Sequence, residues 1–199
     1  MKKTRKDQPT EPQAVDASAA TPVKRLNWGC GGAGEPGWIN SDQKDGPRID
    51  ISGDIRDGLP LEENSIDYVV SIHALPEVPY TEQVTVLREL RRVLKPGGVL
   101  RLALPDLEKG IQAYQSGNRD YFLIPDEDAR SLSSKLILQL IWYGYSRTLF
   151  THDFIRELLE KAGFTQVVEC QFQQTQSPYP GIVELDNREL ESLFVEAIK

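Results

Sequence analysis

LNWGCGGAGEPGWINSD, from Leu26 to Asp42, is the stretch whose reading decides the fold. It contains a literal G-x-G-x-x-G at Gly29, Gly31 and Gly34, and it ends on a carboxylate, Asp42. A strand, a glycine turn and an acid in that order predict a parallel α/β sheet with a nucleotide held against the turn. The crossover helix has little room. Glu35-Pro36-Gly37 interrupts it, and Trp38 opens a second strand-like run, so a helix of at most one turn is expected.

Outward from this stretch, short apolar runs alternate with helical patterns, the signature of a mostly parallel sheet covered by helices. Strands are expected at 25–28, 38–41, 48–51, 66–71, 99–104, 167–172 and 192–197, which fit one sheet. The clearest helix is 81–94, with Thr81 as its cap and Val84, Leu87, Leu90, Arg91 and Leu94 on one side. Lys95-Pro96-Gly97-Gly98 turns the chain into the next strand. A second helix, 153–162, follows Thr151 and ends at Gly163, with Phe154, Leu158 and Leu159 inward. Residues 106–150 belong to no simple crossover. One helix is expected after Asp106 and another around 131–142, and Tyr114, Tyr121, Phe122, Trp142, Tyr143, Tyr145 and Phe150 concentrate there. The segment reads equally as a lid or substrate wall and as a satellite core over the sheet edge.

A length of 199 residues and an apolar content of 39% suit one globular domain, 23–199. No run approaches a membrane span, and residues 1–22 lack the apolar core of a signal peptide. The two cysteines, Cys30 and Cys170, make no metal or redox spacing, so a reducing cytoplasm is the simplest expectation. A net charge of −7 argues against a nucleic-acid groove, which needs clustered Lys and Arg. The basic run at residues 2–6, KKTRK, reads as the start of a solvated, disordered tail, 1–22; a weak tether to RNA or membrane is the alternative.

Four segments together resemble the class I S-adenosylmethionine-dependent methyltransferases, in particular their type 11 branch. LNWGCG is similar to the family's first motif, and GDIRDGLPLEENSIDYVVS to its acidic turn and fourth strand. LRELRRVLKPGGVLRLALPD resembles its fourth helix and fifth strand. FTHDFIRELLEKAGF with ESLFVEAIK resembles its closing helix and final strand pair. The resemblance implies a Rossmann-like seven-stranded sheet with an antiparallel last strand, and S-adenosyl-L-methionine as cofactor across the C-terminal strand edges.

The implied cofactor residues are Gly29, Cys30, Gly31, Asp42, Asp54, Ile55 and Ser71. The glycines let backbone approach the methionine portion. Asp42 can accept from both ribose hydroxyls, its alternative being a turn cap before Gln43 and Lys44. Asp54 and Ile55 match the adenine position, with Asp50 and Asp57 as neighbouring competitors. Asn27 stands where many relatives carry an acid. His73, leaving the fourth strand, is the candidate catalytic residue, as a base or to orient the acceptor; a buried histidine satisfied by backbone is the plain alternative. In HALPEVPY the chain has Pro76 and Glu77 where the family usually has Glu and His, and Glu77 reads as an exposed charge before a helix. His152 reads as an exposed residue at a helix start and Asp106 as a helix cap.

The expected function is methyl transfer to a small-molecule acceptor, such as a sugar or other metabolite hydroxyl, without nucleic acid, membrane or metal. No Asn/Asp-Pro-Pro-aromatic motif follows the fourth strand, which argues against planar amide or adenine amino acceptors. Two rivals remain: a non-catalytic relative that binds the nucleoside, and a nicotinamide-dependent oxidoreductase. The latter needs a pyrophosphate on a helix N-terminus, which the interrupted helix does not supply.

Overall fold

A computed structural model describes residues 22–32 and 34–199; the expected tail lies outside them except for Pro22. The elements are β1 (Arg25–Trp28), β2 (Ile39–Asp42), β3 (Ile51–Ser52), β4 (Ile66–Ile72), α1 (Tyr80–Val93), β5 (Leu94–Pro105), α2 (Leu107–Gln115), α3 (Leu132–Ile141), α4 (His152–Ala162), β6 (Thr165–Cys170) and β7 (Ser192–Ile198). They form one seven-stranded sheet in the order β3-β2-β1-β4-β5-β7-β6. β3, β2, β1, β4 and β5 pair in parallel, while β7 runs antiparallel to both β5 and β6. The order reverses between β1 and β4, and the crevice beyond their C-terminal ends is the place where such sheets bind ligands. No helix among the described residues is long and apolar enough to cross a membrane.

Strand alternation splits β5 between two different environments. Leu100, Leu102 and Leu104 join the main core with Val86, Leu87, Leu90, Leu158 and Leu159 of α1 and α4. Val99 and Ala103 face the opposite side, where the buried clusters contain no residue of α1, α2, α3 or α4. There the segment 171–191, between β6 and β7, lies over the sheet: Ile182 and Tyr179 pack on Trp38, Tyr68 and Val70. Arg101, between Val99 and Ala103, is fully buried and pins that segment. Its Nε and Nη2 donate to Asp186 at 2.9 and 2.6 Å, and Nη1 to Glu196 Oε1 at 2.7 Å. The backbone oxygens of Gln174 and Gln171 accept the remaining N–H groups. All five guanidinium donors are thereby satisfied.

Several local expectations are corrected. The strand expected at 48–51 is β3, Ile51–Ser52, and that expected at 167–172 is β6, Thr165–Cys170. The residue before α1 is Pro79, with no side-chain cap bond, and Thr81 lies inside the helix, because Pro79 already presets the entering dihedral. Arg91 does not join the core side of α1; Val86 and Val93 do, and Arg91 Nε donates to Gly163 O at 2.8 Å. Lys95–Gly98 does turn the chain, with Gly97 at a φ of 76°, but as a bulge inside β5 and not ahead of it: Leu94 already pairs with Ile66, and pairing with β4 resumes at Val99.

The segment 106–150 packs a small core of its own, with Ala113, Tyr121 and Phe122 buried against Leu132 and Leu136. It is also tied to the sheet edge. Asp106 N–H donates to Glu191 O at 2.9 Å, Leu107 N–H to Phe150 O, and Arg147 and Thr148 N–H to Pro76 O at 2.8 and 3.1 Å. The return of the segment therefore lies on the loop that follows β4.

Candidate active site

The β1–β2 connection contains no helix among its described residues. Asn40, buried on β2, holds the loop instead. Its Oδ1 accepts from Glu35 N–H at 2.9 Å and from Asn27 Nδ2 at 3.2 Å, and its Nδ2 donates to Glu35 O and Trp38 O. Asn27, the departure from the acid that many relatives carry, is thus a buried partner of Asn40. Nothing in the composition of INSD marked Asn40 as this hub; the signal lay in the missing helix, whose backbone groups need other partners.

The three glycines serve different purposes. Gly29 (φ 69°) passes so close to the loop after β4 that an added Cβ would overlap Ala74. Gly31 (φ 64°) has open space where a side chain would project. Gly34 is buried, and an added Cβ would overlap Arg48 O and the Asn40 side chain. Gly34 is therefore a packing glycine, set against the β2–β3 connection. Gly34→Ala is expected to lower stability by about 1–3 kcal/mol, the usual cost of overpacking against unyielding backbone. A thermal melt unchanged from wild type would contradict this.

Asp42 closes β2 beside the glycine turn. Its Oδ2 accepts Gly31 N–H at 2.8 Å and its Oδ1 accepts Lys44 N–H at 3.0 Å. Each oxygen so far takes one donor, leaving lone-pair capacity on both for two adjacent hydroxyls. Cys30 lies in the same field; burial, and then the Asp42 charge, push its thiol up to about 11, so it stays uncharged at neutral pH. Glu77 also feels Asp42: burial and then that charge raise its carboxyl, across the crevice from β2.

Asp54 is placed differently. It caps the single turn Ile55–Asp57, and Arg56 N–H and Nε donate to its Oδ1 at 2.9 and 2.8 Å. Arg56 Nη2 pairs with its Oδ2, and Gln43 Nε2 reaches the same oxygen at 3.3 Å. Arg56 therefore holds the carboxyl below its usual range. The carboxylate is engaged on both oxygens, and an adenine amine would have to displace Arg56 or Gln43. The Ile55 side chain is buried in the main core, so it does not cover an adenine ring as expected. Ser71 is buried, and its Oγ has no partner among the described residues.

His73 follows β4 in the left-handed region (φ 56°), fixed by its N–H on Ala103 O at 2.9 Å. Such a conformation is uncommon outside glycine and marks a position the surroundings impose. The ring nitrogen Nε2 lies 2.8 Å from Ser192 Oγ, at the first residue of β7. Burial, reinforced by the charge of Arg188, pushes the imidazole down to about 3, so it is neutral at physiological pH. The expected general base is thus a weak one. Asp106 caps α2, its Oδ1 accepting from Glu108 and Lys109 N–H. His152 opens α4 behind the Thr151 cap; its Nε2 is buried without a partner, not exposed as expected. Ser192 and Arg188 were not anticipated, because β7 and the 171–191 segment reach β4 only through the sheet order.

Residues 29–102 match the family model described as "Methyltransferase domain". The chain is 31% identical over 118 residues to demethylmenaquinone methyltransferase from Staphylococcus carnosus, which covers 59% of this chain and 47% of the relative. The chain thus spans about half the length of the curated relatives it matches. A methyltransferase from Archaeoglobus fulgidus superposes with a TM-score of 0.55 at 13% identity, covering 89% of this chain and 86% of that one. A possible histamine N-methyltransferase from Thermotoga maritima gives 0.54 at 18% identity, covering 91% and 84%. Both structures are described as S-adenosylmethionine-dependent, and the fold is theirs. The segment 106–150 lies beyond the residues matched by the family model.

Proposed function

We propose that this chain, class I methyltransferase in fold, transfers a methyl group from S-adenosylmethionine to a small-molecule acceptor. The observation that carries this reading is Asp42. It stands at the end of β2 beside a glycine turn with no helix behind it, and it offers acceptor capacity on both oxygens. A dinucleotide pyrophosphate would lack the positive helix end and the N–H donors it uses. A ribose without phosphate loses nothing by that absence, and a cationic sulfonium is better placed away from a positive dipole.

The bound cofactor would supply a methyl carbon on sulfur, displaced in line as the acceptor–carbon bond forms and the electron pair of the broken bond stays on sulfur. Gly29 and Gly31 would admit its methionine portion, Asp42 its ribose, and the backbone of Ile55 its adenine once Arg56 releases Asp54. The segment 106–150 acts as the acceptor wall, excluding water and aligning the nucleophile; such alignment can contribute on the order of 7–11 kcal/mol. His73 orients the acceptor. With its imidazole held near 3, it is a poor proton sink for an aliphatic sugar hydroxyl, so acceptors with an acidic or already ionised nucleophile are favoured. The name of the relatives points the acceptor screen toward quinone-type rings as well as sugars.

Titration calorimetry with S-adenosylmethionine, S-adenosylhomocysteine and NAD tests the reading. Binding of the first two and not the third is expected. Binding of NAD alone would favour the oxidoreductase, and binding without turnover across a labelled-methyl acceptor screen would favour a nucleoside-binding protein.

A further inference from the structure

Within that reading, the direction of one hydrogen bond decides what His73 can do. Ser192 is 1% exposed, and among the described residues its Oγ has one partner, His73 Nε2 at 2.8 Å. The serine is fixed from several sides. Its carbonyl accepts from Lys109 Nζ at 2.6 Å, its Cα pairs with Pro105 in the β5–β7 ladder, and the preceding Glu191 carbonyl accepts Asp106 N–H at 2.9 Å. A hydroxyl proton in such a place needs an acceptor, and leaving it unpaired costs about 1–3 kcal/mol. The imidazole nitrogen is the acceptor within reach.

The geometry points to Ser192 Oγ–H donating to His73 Nε2, which fixes the ring as its Nδ1–H tautomer and makes His73 a neutral hydrogen-bond donor to an oxygen of the acceptor molecule. Nδ1 makes no hydrogen bond to any described residue, so it is the nitrogen available to a ligand. The low basicity of the ring agrees with this, since Arg188 and burial both oppose a second ring proton. Ser192 is then a positioning residue. The acceptor class that fits is one carrying a carbonyl or ionised oxygen next to the atom that receives the methyl group: an Nδ1–H would stabilise that oxygen, as preorganised donors do. A neutral alcohol approaching to give up its proton would instead meet a donor.

The chain has two histidines, so the tautomer can be read directly. Long-range proton–nitrogen spectra of protein carrying nitrogen-15 histidine, with His152→Asn to assign the signals, should show His73 with a protonated Nδ1 and a bare Nε2. On acidification to about pH 5, well below the ordinary imidazole value, the ring should stay neutral. Ser192→Ala should let the two tautomers mix, and Ser192→Thr, which keeps the hydroxyl, should restore the single form. A wild-type ring protonated on Nε2, or a Ser192→Ala spectrum like that of wild type, overturns the assignment. The threonine variant covers the case in which alanine perturbs folding. Because the tautomer is read without any methyl donor, its failure is distinguishable from a failure of cofactor binding in the calorimetry.

Discussion

Arg101→Met is expected to destabilise the protein by about 3–5 kcal/mol, the cost of breaking a buried ion pair by removing one partner. The substitution leaves Asp186 and Glu196, both buried, facing each other without the cation between them. It also strands the carbonyls of Gln171 and Gln174, which accept from the guanidinium. The two carboxylates hold further backbone in place: Asp186 accepts Gln173 N–H at 2.9 Å and Glu196 accepts Gln176 N–H at 3.2 Å. The whole 171–191 cover therefore loosens together. For a domain of this size a loss of that order corresponds to a melting temperature lower by roughly 6–20 °C. Replacing all three charges by apolar residues should recover much of the loss, since an apolar isostere of a buried ionic cluster is often neutral or better. A melt of Arg101→Met within about 2 °C of wild type would sink the argument, because it lies below the shift expected for even 1 kcal/mol.

Asp42→Ala should have the largest effect on cofactor binding. Hydrogen bonds to a charged group are worth about 1.5–3 kcal/mol each, so losing two ribose contacts predicts a fall in affinity on the order of 100-fold or more. Asp42 also accepts Gly31 and Lys44 N–H, so part of any loss could come from a disturbed turn. A double cycle separates the two causes. Against wild type, a 2′-deoxy analogue of S-adenosylhomocysteine should bind more weakly than the parent; against Asp42→Ala the two should bind alike. If the deoxy analogue keeps its full penalty in the variant, the carboxylate does not hold the ribose. Asp54→Ala should matter less in the same assay, because that carboxylate already has Arg56 as its partner.

The number of strands, the body of α1, α4 with its Thr151 cap and Gly163 end, and the Asp106 cap of α2 were legible in the sequence, because each rests on local chemistry; the bounds of β3, β5 and β6 and the cap of α1 were not. Alternation along β5, the i, i+4 spacing of α4 and the positive φ that Gly163 adopts need no distant partner. The glycine stretch at 26–42 was legible for the same reason: proline and glycine at 36–37 stop a helix wherever they occur. The residues alone already set Gly34 apart from Gly29 and Gly31, as part of a shortened loop and not a ligand contact; what holds it there they did not tell. Gly34 is set by Arg48 and Asn40, which the fold brings back to it from the β2–β3 connection.

The long-range facts had no local trace. In α3, expected only as a helix around 131–142, Lys135 and Gln139 point inward and Ile137 and Ile141 outward. The inward pair satisfies backbone of the preceding turn, Ile124 O and Leu123 N–H, which side-chain periodicity does not register. Arg101 sits in RLALP like an ordinary edge charge, and only the β5–β7 pairing puts Glu196 beside it. His73 was visible as a histidine at a strand end, but its role depended on a serine 119 residues away. The sequence by itself determined the type and order of the elements and that Asp42 ends β2, because those follow from nearest-neighbour sterics and side-chain spacing; several element boundaries it did not. The tertiary structure decided which polar groups share a desolvated space, and therefore that burial and Arg188 keep His73 neutral, that Arg56 engages Asp54, and that Asp42 accepts one backbone N–H on each oxygen.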